Sequence, residues 1–344
     1  MSTDSLAARK ARWGAWYAGA GTPRHMFSII APATVPLGAR PWPWHGNRQA
    51  RIEWAWDNYC IQRERLDWLD DDALPYLDIF TGTEIFAEAF GCEVAYPEDN
   101  MPFALPAITR ASEVNKLAVP ELGATPLMEL FEIADELRSR AGEAALVKMV
   151  DIQSPMDIAA LIWDKNDFYP AMIEEPEAVK ALADKVSHLL TAFLDAWFAR
   201  YGREFIAHFP TYYMPNGLTL SEDEVGAVST ADFAEFFLPE LVSLSARYGG
   251  LGMHCCANAR HQWDGFLRIP NLRVLNLCQP REVTDEAYRF FAPHLAQMHG
   301  NFPDTDPWSW PAQLPAGARV IFEIGAKSRE EATMLAERMR EACG

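Results

Sequence analysis

The chain contains no uninterrupted apolar run near the roughly eighteen residues that a membrane span requires, and its opening stretch, MSTDSLAARKARWGAWYAGAG, carries no apolar leader segment. A soluble, cytoplasmic protein without membrane association is the expectation. Positive charge is also scarce: 30 Lys and Arg stand against 48 Asp and Glu, a formal net charge of −18. Phosphate-backbone binding draws its affinity from clustered Lys and Arg, so nucleic acid is not the expected partner and a small-molecule substrate is. The six cysteines, at 60, 92, 255, 256, 278 and 343, lack the spacing of a secreted disulfide scaffold. The adjacent pair Cys255–Cys256 is an awkward disulfide, and the thiols are read as reduced. No internal repeat, low-complexity tract or Gly-rich phosphate loop is present.

What is present is apolar substance. At 344 residues and 49% apolar composition the chain can bury a large core, as one barrel with extensions or as two smaller domains. Residues 1–73 are rich in Trp, Arg and Pro, with PWPWHG at 41–46 and a helical pattern over 48–69, and read as a helical extension packed on a core domain. From residue 74 to 344, short β-rich runs alternate with amphipathic segments, the signal of βα units around a parallel sheet. Strands are expected at 76–80, 145–152, 204–209, 250–256, 272–277, 295–298 and 319–324, which suffices for a barrel if one strand is missed. The clearest helix follows Pro176, where Val179, Leu182, Val186, Leu189, Leu190, Phe193, Trp197 and Tyr201 share one face. Further helices are expected over 230–248, ended by Gly249–Gly250, and over 329–341.

The segment GGLGMHCCANARHQWDGFLRIPNLRVLNL at 249–277 carries the most chemistry. A Gly-Gly break and a short apolar strand lead to His254, Cys255 and Cys256, at the C-terminal strand end where barrel enzymes keep their active sites. Residues two apart on a strand share a face, so His254 and Cys256 point together into the mouth while Cys255 packs outward. Imidazole with thiolate is a zinc-type pair; a buried histidine and a small core cysteine are the alternative reading.

This strand resembles the His-x-Cys-Gly-Asn strand of the uroporphyrinogen decarboxylase superfamily, here His254, Cys255, Cys256, Ala257 and Asn258, with Ala257 in place of the glycine. LSEDEVGAVSTADFAEFFLPEL at 220–241, VDIQSPMDIAALIW at 150–163, GTEIFAEAFGCEV at 82–94 and HGN at 299–301 resemble further blocks of that superfamily. The resemblance implies a (β/α)8 TIM barrel. Uroporphyrinogen decarboxylases proper carry an R-Q-A-G-R-Y block for substrate carboxylates; GTPRHMF at 21–27 is the nearest stretch here and a poor match. The other branch holds zinc on His-x-Cys and a distant third cysteine, and transfers methyl groups with corrinoid proteins. That resemblance implies one zinc ion on His254 and Cys256. Ala326 stands at the position of the third cysteine, so Glu323 on the last strand becomes the expected third ligand, unless it is a buried glutamate paired to Lys or Arg. The corrinoid-binding signature D-x-H-x-x-G is absent, so any corrinoid is expected on a partner protein.

Of the other polar groups, Asp151 at a strand end is a candidate acid/base or a turn cap, and Glu222 and Asp223 follow GLTL as candidate catalytic carboxylates. Asn258 and His261 are candidate supporting donors for the bound group, and His299 is a weaker ligand or a hydrogen-bonded core histidine. Tyr212 and Tyr213 shape a pocket wall or simply pack. The expected function is a zinc-dependent, corrinoid-linked methyltransferase, with a uroporphyrinogen decarboxylase-like carboxy-lyase or a catalytically inactive ligand-binding barrel as alternatives.

Overall fold

Short apolar runs lay down eight parallel strands: β1 (Met26–Ile30), β2 (Tyr76–Leu77), β3 (Leu146–Val147), β4 (Leu218–Ser221), β5 (Leu251–Cys255), β6 (Leu272–Leu277), β7 (Ala296–Gln297) and β8 (Ile321–Gly325). The structure is a computed structural model and describes residues 3–19, 21, 23–33 and 35–344; Thr22 of the GTPRHMF stretch and the first two residues of the opening segment lie outside them. β4, β5, β6 and β7 form one continuous sheet, and β1 pairs with β8 over Met26↔Ile321 to Ile30↔Gly325. The bridge Gln297↔Val320 joins β7 to β8, Gln153↔Ser221 joins the end of the third strand to β4, and β2 pairs with β3. The ring is a (β/α)8 barrel, as expected.

Its closing seam is made differently. Between β1 and β2 the Asp72 N–H donates to the Phe27 carbonyl at 2.9 Å, while the Asp71 and Asp72 carboxylates accept from the N–H groups of Ile29 (2.9 Å) and Phe27 (3.1 Å). Arg9, from helix Thr3–Tyr17, pairs with Asp71, and Arg12 and Arg340 pair with Asp72. Carboxylates thus replace the missing ladder, and the buried Arg9 with the half-buried Arg12 and Arg340 neutralises them.

The expected boundary at residue 73 therefore needs correction, because the stretch taken as a helical extension contains the first barrel strand. MFSII at 26–30 is too short to show periodicity, and only its register with β8 makes it a wall of the barrel. β4 is likewise absent from the expected strands. The expected strand at 204–209 reduces to Phe205–Ile206, hairpinned with Tyr213–Met214 and touching the third strand at Lys148.

The long helix is Pro176–Tyr201 and buries all eight residues of its expected face. Each such apolar side chain contributes about 1.5–3 kcal/mol when fully buried. The helix expected over 230–248 is interrupted by a wide turn at Phe233–Phe237. Pro239 lacks the N–H that would close the preceding turn, so the turn opens before the helix resumes as Leu238–Tyr248. That helix ends at Gly249, with φ 88°, which turns the chain directly into β5.

Candidate metal centre

Strand parity decides what faces the barrel axis. On β5, Gly252, His254 and Cys256 share the inward side; a Cβ on Gly252 would lie 2.1 Å from the Tyr212 hydroxyl, which fills the barrel floor there. Cys255 points outward and is buried, whereas Cys256 is exposed at the mouth. The register Leu220↔Met253 and Ser221↔His254 sets β4 alongside, so Glu222 turns outward and Asp223 arrives over the mouth.

Asp223 meets the end of β5 twice: the Cys256 N–H donates to its Oδ1 at 2.5 Å and the Cys256 thiol to its Oδ2 at 3.0 Å. The ligand atoms of Asp223, His254 and Cys256 all lie within 4.8 Å of one another. Two features hold the loops together. The Asp157 carboxylate accepts from the N–H groups of Asp223 (2.7 Å) and Glu224 (3.0 Å). Gly226 lets the loops touch, since a Cβ there would lie 2.5 Å from the Ala257 methyl.

His254 is held from behind. Asn276 on β6 donates its amide to the Met298 carbonyl, which turns its Oδ1 toward His254 Nδ1 at 2.5 Å. An oxygen there can only accept, so Nδ1 carries the proton and Nε2 keeps its lone pair for a ligand. The exposed Phe209 ring stands edge-on to the imidazole at 4.9 Å. One residue earlier, His208 Nε2 lies 3.2 Å from Asp151 Oδ2, and the Asp151 N–H donates to Thr81 Oγ1 at 2.9 Å.

The profile of the uroporphyrinogen decarboxylase (URO-D) family matches residues 71–304, more than half of the chain. The chain belongs to the URO-D family. Its fold is similar to that of a methyltransferase from Methanosarcina mazei, at 13% identity, covering 97% of this chain and 98% of that one with a TM-score of 0.65. At such identity the likeness concerns the fold alone. The Escherichia coli homocysteine methyltransferase MmuM in metallated form, also 13% identical, covers 78% of this chain and 97% of its own with a TM-score of 0.28, too low to argue from. No curated protein matches the chain in sequence.

Within this URO-D family barrel the expected site residues separate. Asp223, expected as a catalytic carboxylate, stands in the position of third donor. Glu323 does not join the triad: it faces inward from β8, where burial raises its pKa and nearby Lys148 opposes the rise. Glu323 lies near Lys148 but remains exposed, so it is not the buried, paired glutamate of the alternative reading either; β8 lies across the ring from β5. Glu222 is fully buried behind the mouth, its pKa raised by burial and by the neighbouring Asp157 carboxyl. His299 is a core histidine: it accepts from the Leu277 N–H at Nδ1 (3.0 Å), bonds Gln297 through Nε2 (2.8 Å), and burial holds its pKa down to about 3. His261 bonds the Val228 carbonyl at 2.9 Å and Asn258 is exposed, so neither supports the triad; Asn276 does. Asp151, expected as an acid/base group or a turn cap, pairs with His208.

Sequence reasoning missed Asn276, Asp157 and Arg40. Asn276 is the buried polar residue of β6, whose other buried residues are apolar, and Asp157 is the second acid of the D-x-Q-x-P-x-D block. Arg40, on the loop after β1, pairs with Asp78 and lies 3.7 Å over the Phe80 ring.

Proposed function

We propose that this URO-D family barrel is a methyltransferase holding one zinc ion on His254, Cys256 and Asp223 and taking its methyl group from a corrinoid protein. The observation that carries the reading is the convergence of imidazole, thiol and carboxylate at the C-terminal mouth of β4 and β5. Nitrogen, sulfur and oxygen donors suit a borderline-soft divalent ion. The donor set also fits a cation electrostatically. A thiolate and a carboxylate 3.0 Å apart would repel unless something positive lay between them. Burial and the Asp223 hydrogen bond push the Cys256 thiol up to about 12, so a proton fills that role, and a divalent ion would take its place. Zinc, when bound, supplies a Lewis acid that keeps a substrate thiol ionised near neutral pH.

The chain's own groups do the rest. Asn276 fixes the His254 lone pair toward the mouth, and Asp223 holds the Cys256 sulfur. His208, with Nε2 on Asp151, can take the proton of an incoming nucleophile at Nδ1. Phe209 shields the His254 edge from water. In this reading the carrier is a separate corrinoid protein, with a small-molecule methyl donor or acceptor completing the reaction.

The test is elemental analysis with methyl transfer measured from a methylated corrinoid protein to a thiol. Wild type should carry about one zinc per chain, and Cys256→Ser should lose both zinc and activity, while Cys255→Ser keeps both. Full zinc in Cys256→Ser, or none in wild type purified without chelator, removes the reading. A metal-free carboxy-lyase then moves ahead, favoured by the Arg40–Asp78 pair and by Lys148 near Asp78 and Glu323 within the barrel. These cations suit a carboxylated substrate.

A further inference from the structure

We infer that segment 38–47 is a strap over the β2 side of the barrel mouth, latched by the charged form of His45 and released when that imidazole loses its proton. The inference does not depend on the metal reading; it concerns the rim of the same mouth.

Three contacts hold the segment before it runs into helix Arg48–Arg65. The Trp54 indole N–H donates to the Gly38 carbonyl at 2.8 Å, and Arg40 pairs with Asp78 just beyond β2. His45 then reaches two helices at once. Its Nδ1 lies 2.5 Å from Glu129 Oε2 on helix Met128–Ala141, and its Nε2 lies 2.9 Å from Glu88 Oε1 on helix Ile85–Ala89. The cavity beneath His45 is also lined by Thr81, whose hydroxyl accepts from the Asp151 N–H. The latch therefore borders the Asp151–His208 pair at the mouth.

Ionised carboxylates only accept hydrogen bonds, so holding both requires both ring nitrogens to donate, and only the imidazolium carries two N–H groups. A neutral ring keeps one carboxylate and turns a lone pair toward the other. Geometry thus ties the latch to protonation. Burial lowers the His45 pKa, but the hydrogen bonds and charges of Glu129 and Glu88 outweigh it and the net shift is upward. His45 is half-exposed, so its proton exchanges with solvent. The other charged or titratable groups around the ring are Glu84, Arg51 and Tyr96, whose hydroxyl lies 3.5 Å from Glu88 Oε1; Arg48, three residues along the chain, is taken by Glu132. Glu84 is buried with Oε2 lacking a hydrogen-bond partner, and burial pushes its pKa up to about 7. Once His45 and Glu84 lose their protons, three carboxylates face Arg51 alone, and the strap has no charge left with which to hold them. A raised pKa in the latched state means that the latch is complete at low pH and is lost as pH rises through that pKa.

Hydrogen–deuterium exchange of the full-length protein, corrected for the intrinsic pH dependence of exchange, tests this. In wild type, protection of the amides in 38–47 should fall at least about fivefold between about pH 6 and about pH 9, while helix Pro176–Tyr201 keeps its protection. His45→Gln, neutral throughout, should show the low protection at both values. His45→Arg stays charged and can donate to two carboxylates, so it should show the high protection at both. Glu129→Gln removes one acceptor charge and should move the transition to lower pH. Equal protection of the wild-type segment across the range, or a wild-type pH response retained in His45→Gln or in His45→Arg, overturns the latch.

Discussion

A single side-chain amide governs how His254 presents itself. Asn276 cannot flip, because its amide donates to the Met298 carbonyl, and the oxygen left over dictates the imidazole tautomer. Asn276→Ala should therefore weaken zinc binding about 10- to 100-fold while Cys256 and Asp223 stay in place, read by competition against a chromophoric chelator. Equal affinities for variant and wild type would show that His254 needs no such support. Residues like this were hard to read in advance. The spacing of His254 and Cys256 declares them a pair, since two residues on one strand share a face by geometry alone. A donor that arrives from another strand has no spacing to declare it, which is why Asp223 was read as a catalytic acid and Glu323 as the ligand.

At the scale of elements, β4 shows how one step along a strand reverses a carboxylate's fate. Asp223 reaches the mouth; Glu222, one residue earlier, is sealed behind the barrel wall against Asp157. Burial raises both pKa values, and the Asp157 charge raises that of Glu222 further, so the folded pair keeps a proton that the unfolded chain releases near pH 4–5. Unfolding then releases a proton, and the stability held at low pH is lost as pH rises through the folded pKa. The loss should approach roughly one kcal/mol per pH unit above about pH 5. Glu222→Gln, neutral at every pH, should flatten that decline in thermal melts between pH 5 and 8, and an identical pH slope in the two proteins would contradict the shared proton. The wide turn at Phe233–Phe237 belongs to this scale too: Pro239 was visible in the sequence, but the geometry it forces depends on what the turn packs against.

For the whole molecule, the barrel places donors from β4 and β5 at one rim, so binding there should couple to global stability. Zinc at about 100 times its dissociation constant should add about 2.7 kcal/mol and raise the melting temperature by a few degrees. Chelator should reverse the gain, and Cys256→Ser should not respond; a wild-type melt indifferent to zinc would refute the coupling. No helix among the described residues is long and apolar enough to cross a membrane. The sequence by itself determined the βα alternation, the long amphipathic helix and the His254–Cys256 pair, because each is set by a period within one element. Tertiary structure alone decided the rest: that 26–30 is a barrel strand, that Asp71 and Asp72 close the seam, and that Asp223 rather than Glu323 joins the pair. Those outcomes depend on register between segments far apart in the chain, and register is fixed only when the ring closes and every strand must satisfy both neighbours at once.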